Sequence, residues 1–214
     1  MDLPGDLQVI LLKTLREADR DHCPTGPSST GIENMNEERL RPVAAAGLVI
    51  GALLGMAGSF APSAELRGLA WGTDGVALVV ASALLCLHHL RRGDAQLAAG
   101  FLVFLAGETL ILSGSAMDLA ASAPSFAAGA GLWSAALALV SASPIMPRLV
   151  RVTGAIAAIL FAATAARIFG GAGLTPLSEP LPFYGYPFLA VTLFGWAWVH
   201  IRRDSEGLAG KVGR

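Results

Sequence analysis

Three ionisable side chains stand inside otherwise apolar stretches of the chain: Asp74, Glu108 and Arg167. An acidic or basic group at the centre of a bilayer costs roughly 2.5–3.5 kcal/mol on insertion scales, so each such residue must be paired, hydrated or protonated. Glu108 sits in Phe104-Leu105-Ala106-Gly107-Glu108-Thr109-Leu110. An intramembrane carboxyl of this kind can carry a proton, or it can join two helices as a neutral hydrogen-bonded group. At about 1.5 Å per helical residue, Asp74 lies roughly 8 Å, Arg167 roughly 5 Å and Glu108 roughly 12 Å from the outer ends of their stretches. The matched depths of Asp74 and Arg167 predict a polar cluster in the outer half of a helix bundle. It extends to Glu108 if the Arg167 side chain gives up snorkelling toward water. The competing expectation has Arg167 snorkelling alone and Asp74 capping a later helix start.

A second pattern concerns packing. Gly47, Gly51 and Gly55 recur every four residues, and Gly58 follows one turn on. Small residues along one helical stripe let another backbone approach closely, which is how helices associate in lipid. The stripe predicts tight packing against another span of the same chain or, alternatively, a face for a second copy or a membrane partner.

His88, His89 and His200 fall near the same end of their stretches, with Cys86 close by in sequence. Imidazoles from two helices could bind a metal or haem, but neighbours on a helix point about 100° apart, so His88 and His89 cannot both face one site. Solvated interfacial histidines are expected, and no metal or cofactor. The chain has no GxxxxGK[ST] phosphate loop, no HExxH, no CxxC and no GxSxG, each of which would place a specific chemistry. Ser113, Ser115, Ser122 and Ser125 cluster without a histidine at their depth. An enzyme of ordinary type therefore lacks its parts. Pro187, deep in the last apolar stretch, is expected to free a backbone carbonyl or kink its helix.

The elements that hold these residues follow from composition. Of 214 residues 54% are hydrophobic and 14% charged, against about 25% charged in a typical soluble domain. That balance excludes a soluble globular domain, and with 15 basic against 16 acidic residues it argues against disorder and against nucleic-acid binding. The expected fold is all-α, a polytopic membrane bundle of six spans near 43–62, 69–89, 95–116, 123–143, 149–170 and 182–201. Each is about 20 residues, enough for a hydrocarbon core about 30 Å thick. Arg39, Arg41, Arg91, Arg92, Arg148, Arg151, Arg202 and Arg203 collect on one side, and Arg67 and Arg167 on the other. The positive-inside bias then places both termini in the cytoplasm. Trp71, Phe183, Tyr184, Tyr186 and Phe188 are expected at the outer interface, and Trp196 and Trp198 toward the inner one.

Outside the membrane domain of 43–201, residues 1–42 read as a cytoplasmic tail and 202–214 as another. Within the first, Leu7, Ile10, Leu11, Leu15 and Ala18 follow helical spacing over about 5–20, and Asp21 to Asn36 reads as a loop rich in turn residues. Cys23 and Cys86 are expected as free thiols. Thirteen Arg against two Lys, with abundant Ala and Gly, fit a GC-rich bacterial genome and hence a bacterial inner-membrane location. The expected function is that of a non-enzymatic protein that packs with itself or a partner through the glycine stripe; the alternative is a small transporter or proton-coupled carrier using Asp74, Glu108 and Arg167. Met35 opens a compact charged lead-in to the first span and is expected to be the initiator. Protein expressed from the native gene should then have an intact mass beginning at Met35, and a mass that includes Met1 overturns this.

Overall fold

The computed structural model describes residues 29–114, 117–118, 120–173 and 180–212, with side chains described at 40–114, 117–118, 120–173 and 184–202. The expected amphipathic helix near 5–20 and the Cys23 thiol lie outside the described residues. Among the described residues the protein is entirely helical: α1 (Ser29–Ser59), α2 (Ala64–Arg91), α3 (Ala95–Gly114), α4 (Ala123–Ala142), α5 (Arg148–Phe169) and α6 (Pro180–Val212). Five of these contain stretches long and apolar enough to cross a membrane, Leu40–Ser59 in α1 and the whole of α2, α3, α4 and α5. The chain thus has the make-up of a multi-pass membrane protein in contact with a lipid bilayer. α6 is not among the five, because Tyr184, Tyr186, Pro187, Trp196, Trp198 and His200 interrupt its apolar run.

The chain divides into two units, Met1–Asn36 and Glu37–Arg214. In the first, helical backbone begins at Ser29, where turn chemistry predicts a loop up to Asn36. At the other end α6 runs on to Val212, past the expected boundary at 201. The charged residues at both helix ends are acceptable to a helix once a turn is nucleated, since Glu, Arg and Lys are good helix formers. α6 also continues through Pro187 without breaking.

The second unit is built by consecutive helices packing side by side: α2 on α3, α3 on α4, α4 on α5 and α5 on α6. Its core is made from small residues and large aromatics. Ala127, Ala130 and Ala136 of α4 are fully buried, and α3 and α4 approach so closely that a β-carbon on Gly107 would stand 2.9 Å from the Gly129 carbonyl oxygen. This explains how a helix poor in leucine holds its place: what it lacks in side-chain volume it gains in backbone proximity. Trp196, expected near the inner interface, is instead fully buried and meets Phe101 and Phe104 edge-on at 5.1 and 5.6 Å. Trp198 is exposed, with the Arg202 guanidinium 4.7 Å above its ring. The outer surface carries Leu69, Leu149 and Ile159, each about two-thirds exposed or more, as lipid contact requires.

All four glycines of the stripe face α2 of the same chain. A β-carbon on Gly47 would lie 2.8 Å from the Ala77 carbonyl oxygen, on Gly51 2.4 Å from Leu78, on Gly55 2.8 Å from the Asp74 carboxyl and on Gly58 2.4 Å from the Trp71 indole. The stripe therefore closes α1 on α2 and is not a free face for a second copy. By contrast, nothing lies within 4 Å of Gly68 or Gly72. Gly47→Val should accordingly destabilise the protein by about 1–3 kcal/mol through overpacking against backbone. Gly68→Ala should stabilise it by about 0.5–1 kcal/mol through helix propensity. Thermal unfolding of detergent-solubilised protein checks both.

Candidate functional site

α2 begins at Ala64, where the Ser63 hydroxyl accepts from the Leu66 N–H at 3.3 Å. Asp74 thus lies well inside the helix rather than at its start. From there its carboxyl projects toward α1, into the space left by the glycines: a β-carbon on Gly55 would approach Oδ2 to 2.8 Å and one on Gly51 would approach Oδ1 to 3.0 Å. The stripe therefore serves two purposes. It brings the helices together and it leaves a seat for a carboxyl between them. The seat is closed on its outer side by Trp71, whose Nε1–H donates to the Gly55 carbonyl oxygen at 3.3 Å.

Glu108 reaches the same level from α3. A β-carbon on Gly75, the residue after Asp74, would stand 3.3 Å from Glu108 Oε1. Both carboxyls are buried, Glu108 at 2% exposure and Asp74 at 9%, and each lies within electrostatic range of the other. Tyr186 of α6 lies within range of both. Asp74 Oδ1 and Glu108 Oε2 complete no hydrogen bond. The indole of Trp133 is the neighbouring donor, and its Nε1–H is likewise unsatisfied. A crevice of about 20 Å³ lined in part by Gly55, Asp74, Leu78, Trp133, Tyr186 and Leu193 is of the size that one water molecule needs, about 10–15 Å³ or more. One water there, with Asp74 and the Tyr186 hydroxyl as polar neighbours, would satisfy groups that otherwise stay unpaired.

The structure thus brings together Asp74 and Glu108 and leaves Arg167 elsewhere. Arg167 is exposed in the last turn of α5, a helix that packs on α4 and α6. The expected pairing of Asp74 with Arg167 is not formed. Equal depth along a helix says nothing about direction around the helix axis. Sequence reasoning also missed Tyr186 and Trp133, which were expected at an interface and unassigned, respectively. The signal that could have found them is weak: Gly185 lets the start of α6 lie close to the Phe161 ring, 3.2 Å from where its β-carbon would be, which turns the next residue inward.

Chemically, two carboxyls in an apolar interior, with no cation beside them among the described residues, have the make-up of a group that can hold a proton. Like charges so placed cannot both be ionised without a large penalty, because little solvent screens them. No protein-family model matches the chain, and no curated protein or solved structure matches it. Asp74→Asn and Glu108→Gln keep volume and hydrogen-bonding capacity while removing one ionisable group. Both variants should unfold thermally at the same temperature as the unaltered protein or up to about 1 kcal/mol more stably. A loss above about 2 kcal/mol in either would show an ionised carboxylate held by a counter-charge.

Proposed function

We propose that this protein is a small, non-enzymatic, proton-coupled membrane carrier in which Asp74 and Glu108 take up and release the proton. The observation that carries this reading is the buried carboxyl pair itself, with no cation beside it among the described residues. An intramembrane ionisable residue is costly, so two of them at one level are hard to account for by packing alone. The crevice beside Asp74, about 20 Å³, admits a water or a proton relay and nothing larger in this conformation. Traffic of a larger solute would require α6, with Gly185, Pro187 and Gly195, to move against its neighbours.

In this reading the chain crosses the membrane six times, α6 included, with both termini in the cytoplasm of a bacterium and the bundle in its inner membrane. Support comes from the distribution of arginines: Arg91, Arg92, Arg148, Arg151 and Arg202 fall at one end of the helices, Arg67 and Arg167 at the other. The carboxyl pair then lies in the half nearer the outer surface.

A second reading, a protein that acts by packing with itself or a membrane partner, is favoured by a different feature than the stripe on α1. Gly68 and Gly72 of α2, together with Ile50, Leu69, Thr73 and Val76, line an open apolar groove of about 450 Å³. A small-residue groove facing lipid is the surface on which another helix could dock.

The two readings differ in whether water reaches Glu108. With Cys23 and Cys86 replaced by Ser, Glu108→Cys in intact vesicles should react with a membrane-impermeant thiol reagent from one side or both. Absence of labelling from both sides overturns the carrier.

A further inference from the structure

Beyond the carboxyl pair, at the arginine-rich end of the bundle, three imidazoles meet. His88 and His89 lie in the last turn of α2 and His200 stands on α6, all three buried. His89 Nε2 and His200 Nε2 face each other at 3.0 Å. The other nitrogen of each ring is held from behind: His89 Nδ1 by Asp94 Oδ2 at 3.2 Å, and His200 Nδ1 by the Trp196 carbonyl oxygen at 2.6 Å. A carboxylate and a carbonyl only accept, so both Nδ1 atoms are the donors. In a neutral imidazole the proton on Nδ1 leaves a lone pair on Nε2. Two such lone pairs aimed at one another at 3.0 Å repel unless a cation lies between them.

The bracing is built into the chain. α2 ends with Gly93 at φ 77°, with Gly93 N–H donating to the Leu90 carbonyl oxygen at 3.1 Å and Asp94 N–H to that of His89 at 2.9 Å. This is a Schellman close, and it folds the residue after the glycine back over the last helical turn. Asp94 is thereby delivered to the ring of His89. Phe101 stacks on that ring at 5.5 Å and 8°, and Trp196 stands edge-on to Phe101 at 5.1 Å. Both imidazoles are thus fixed in orientation and in tautomer by groups that are not themselves candidates for the shared centre. An imidazole braced by a carboxylate or backbone carbonyl, with its second nitrogen directed at a common point, has the arrangement of a histidine that ligates metal.

We propose that His89 and His200 are a two-imidazole seat for a borderline-soft divalent ion, Zn²⁺ or Cu²⁺, that pins α6 to α2. Among the described residues no three His, Cys, Asp or Glu side chains converge on one point. The ion therefore takes two protein nitrogens, and water supplies the rest of its shell; His88 stays a neighbouring ring outside it. The His88 ring lies 5.1 Å from that of His89 and 6.1 Å from that of His200. Metal–nitrogen bonds of about 2.0–2.1 Å in tetrahedral geometry put two ligating nitrogens about 3.4 Å apart. The rings need to part by only a few tenths of an ångström from their present 3.0 Å.

The test uses the full chain in detergent, stripped with a chelator and titrated with Zn²⁺ against a chromophoric competitor, with Co²⁺ absorption as a second readout. One ion per chain is expected, with binding lost in His89→Ala and in His200→Ala. Asp94→Asn, which leaves both ligands in place, should weaken binding about 10–100-fold, and it decides the matter if the histidine variants do not fold. No stoichiometric binding by the unaltered chain would mean a bridging proton only and overturns the proposal. Undiminished binding in the double histidine variant would place the ion on other donors, such as His22 and Cys23, and overturns it equally.

Discussion

Along Gly47, Gly51, Gly55 and Gly58 the backbone of α1 comes so near α2 that no β-carbon fits between them. Much else in the bundle depends on that separation. A larger residue at Gly47 would meet the Ala77 carbonyl oxygen and push the helices apart, and one at Gly51 or Gly55 would also enter the seat of the Asp74 carboxyl. In water such packing would be assisted by the hydrophobic effect. In lipid it rests on dispersion and fit, so small residues at the contact are the available device. The α3 and α4 helices use the same device at Gly107 and Gly129.

Between the carboxyl pair and the histidines runs an unbroken series of aromatic contacts. His89 stacks on Phe101, Phe101 meets Trp196, Trp196 meets Phe104, Phe104 stacks on Trp133, and Trp133 meets Tyr186. Offset and edge-to-face rings pack densely and offer water few partners. Trp196, Tyr186 and His200 all belong to α6, so that helix joins the column at both of its ends and in its middle. In α6 the residues Tyr184, Tyr186, Trp196, Trp198 and His200 break up the apolar run.

Legibility in the sequence differed from residue to residue. The burial of Asp74 and Glu108 could be read directly, since a carboxyl inside an apolar run is conspicuous whatever surrounds it. The role of Arg167 could not, because depth along a helix is one coordinate and a contact needs two more. The glycine stripe announced close packing but not its partner, and the partner turned out to be the next helix in the chain. His89 and His200 are separated by 111 residues, and only the return of α6 beside α2 brings them together. The Arg92-Gly93-Asp94 turn was available as a Schellman signal. It shows that Asp94 folds back, but not that His89 turns to meet it.

Composition and local pattern by themselves determined that the chain is a set of apolar helices suited to a bilayer. The reason is that a helix satisfies its backbone hydrogen bonds within one segment, and lipid imposes that requirement on every segment separately. Tertiary structure alone decided which carboxyl lies beside which, that Trp196 is core and not interface, and that two distant imidazoles face each other. Those outcomes depend on the rotation of each helix about its axis and on its neighbours around the bundle. Both are set by how closely particular small residues let particular backbones approach.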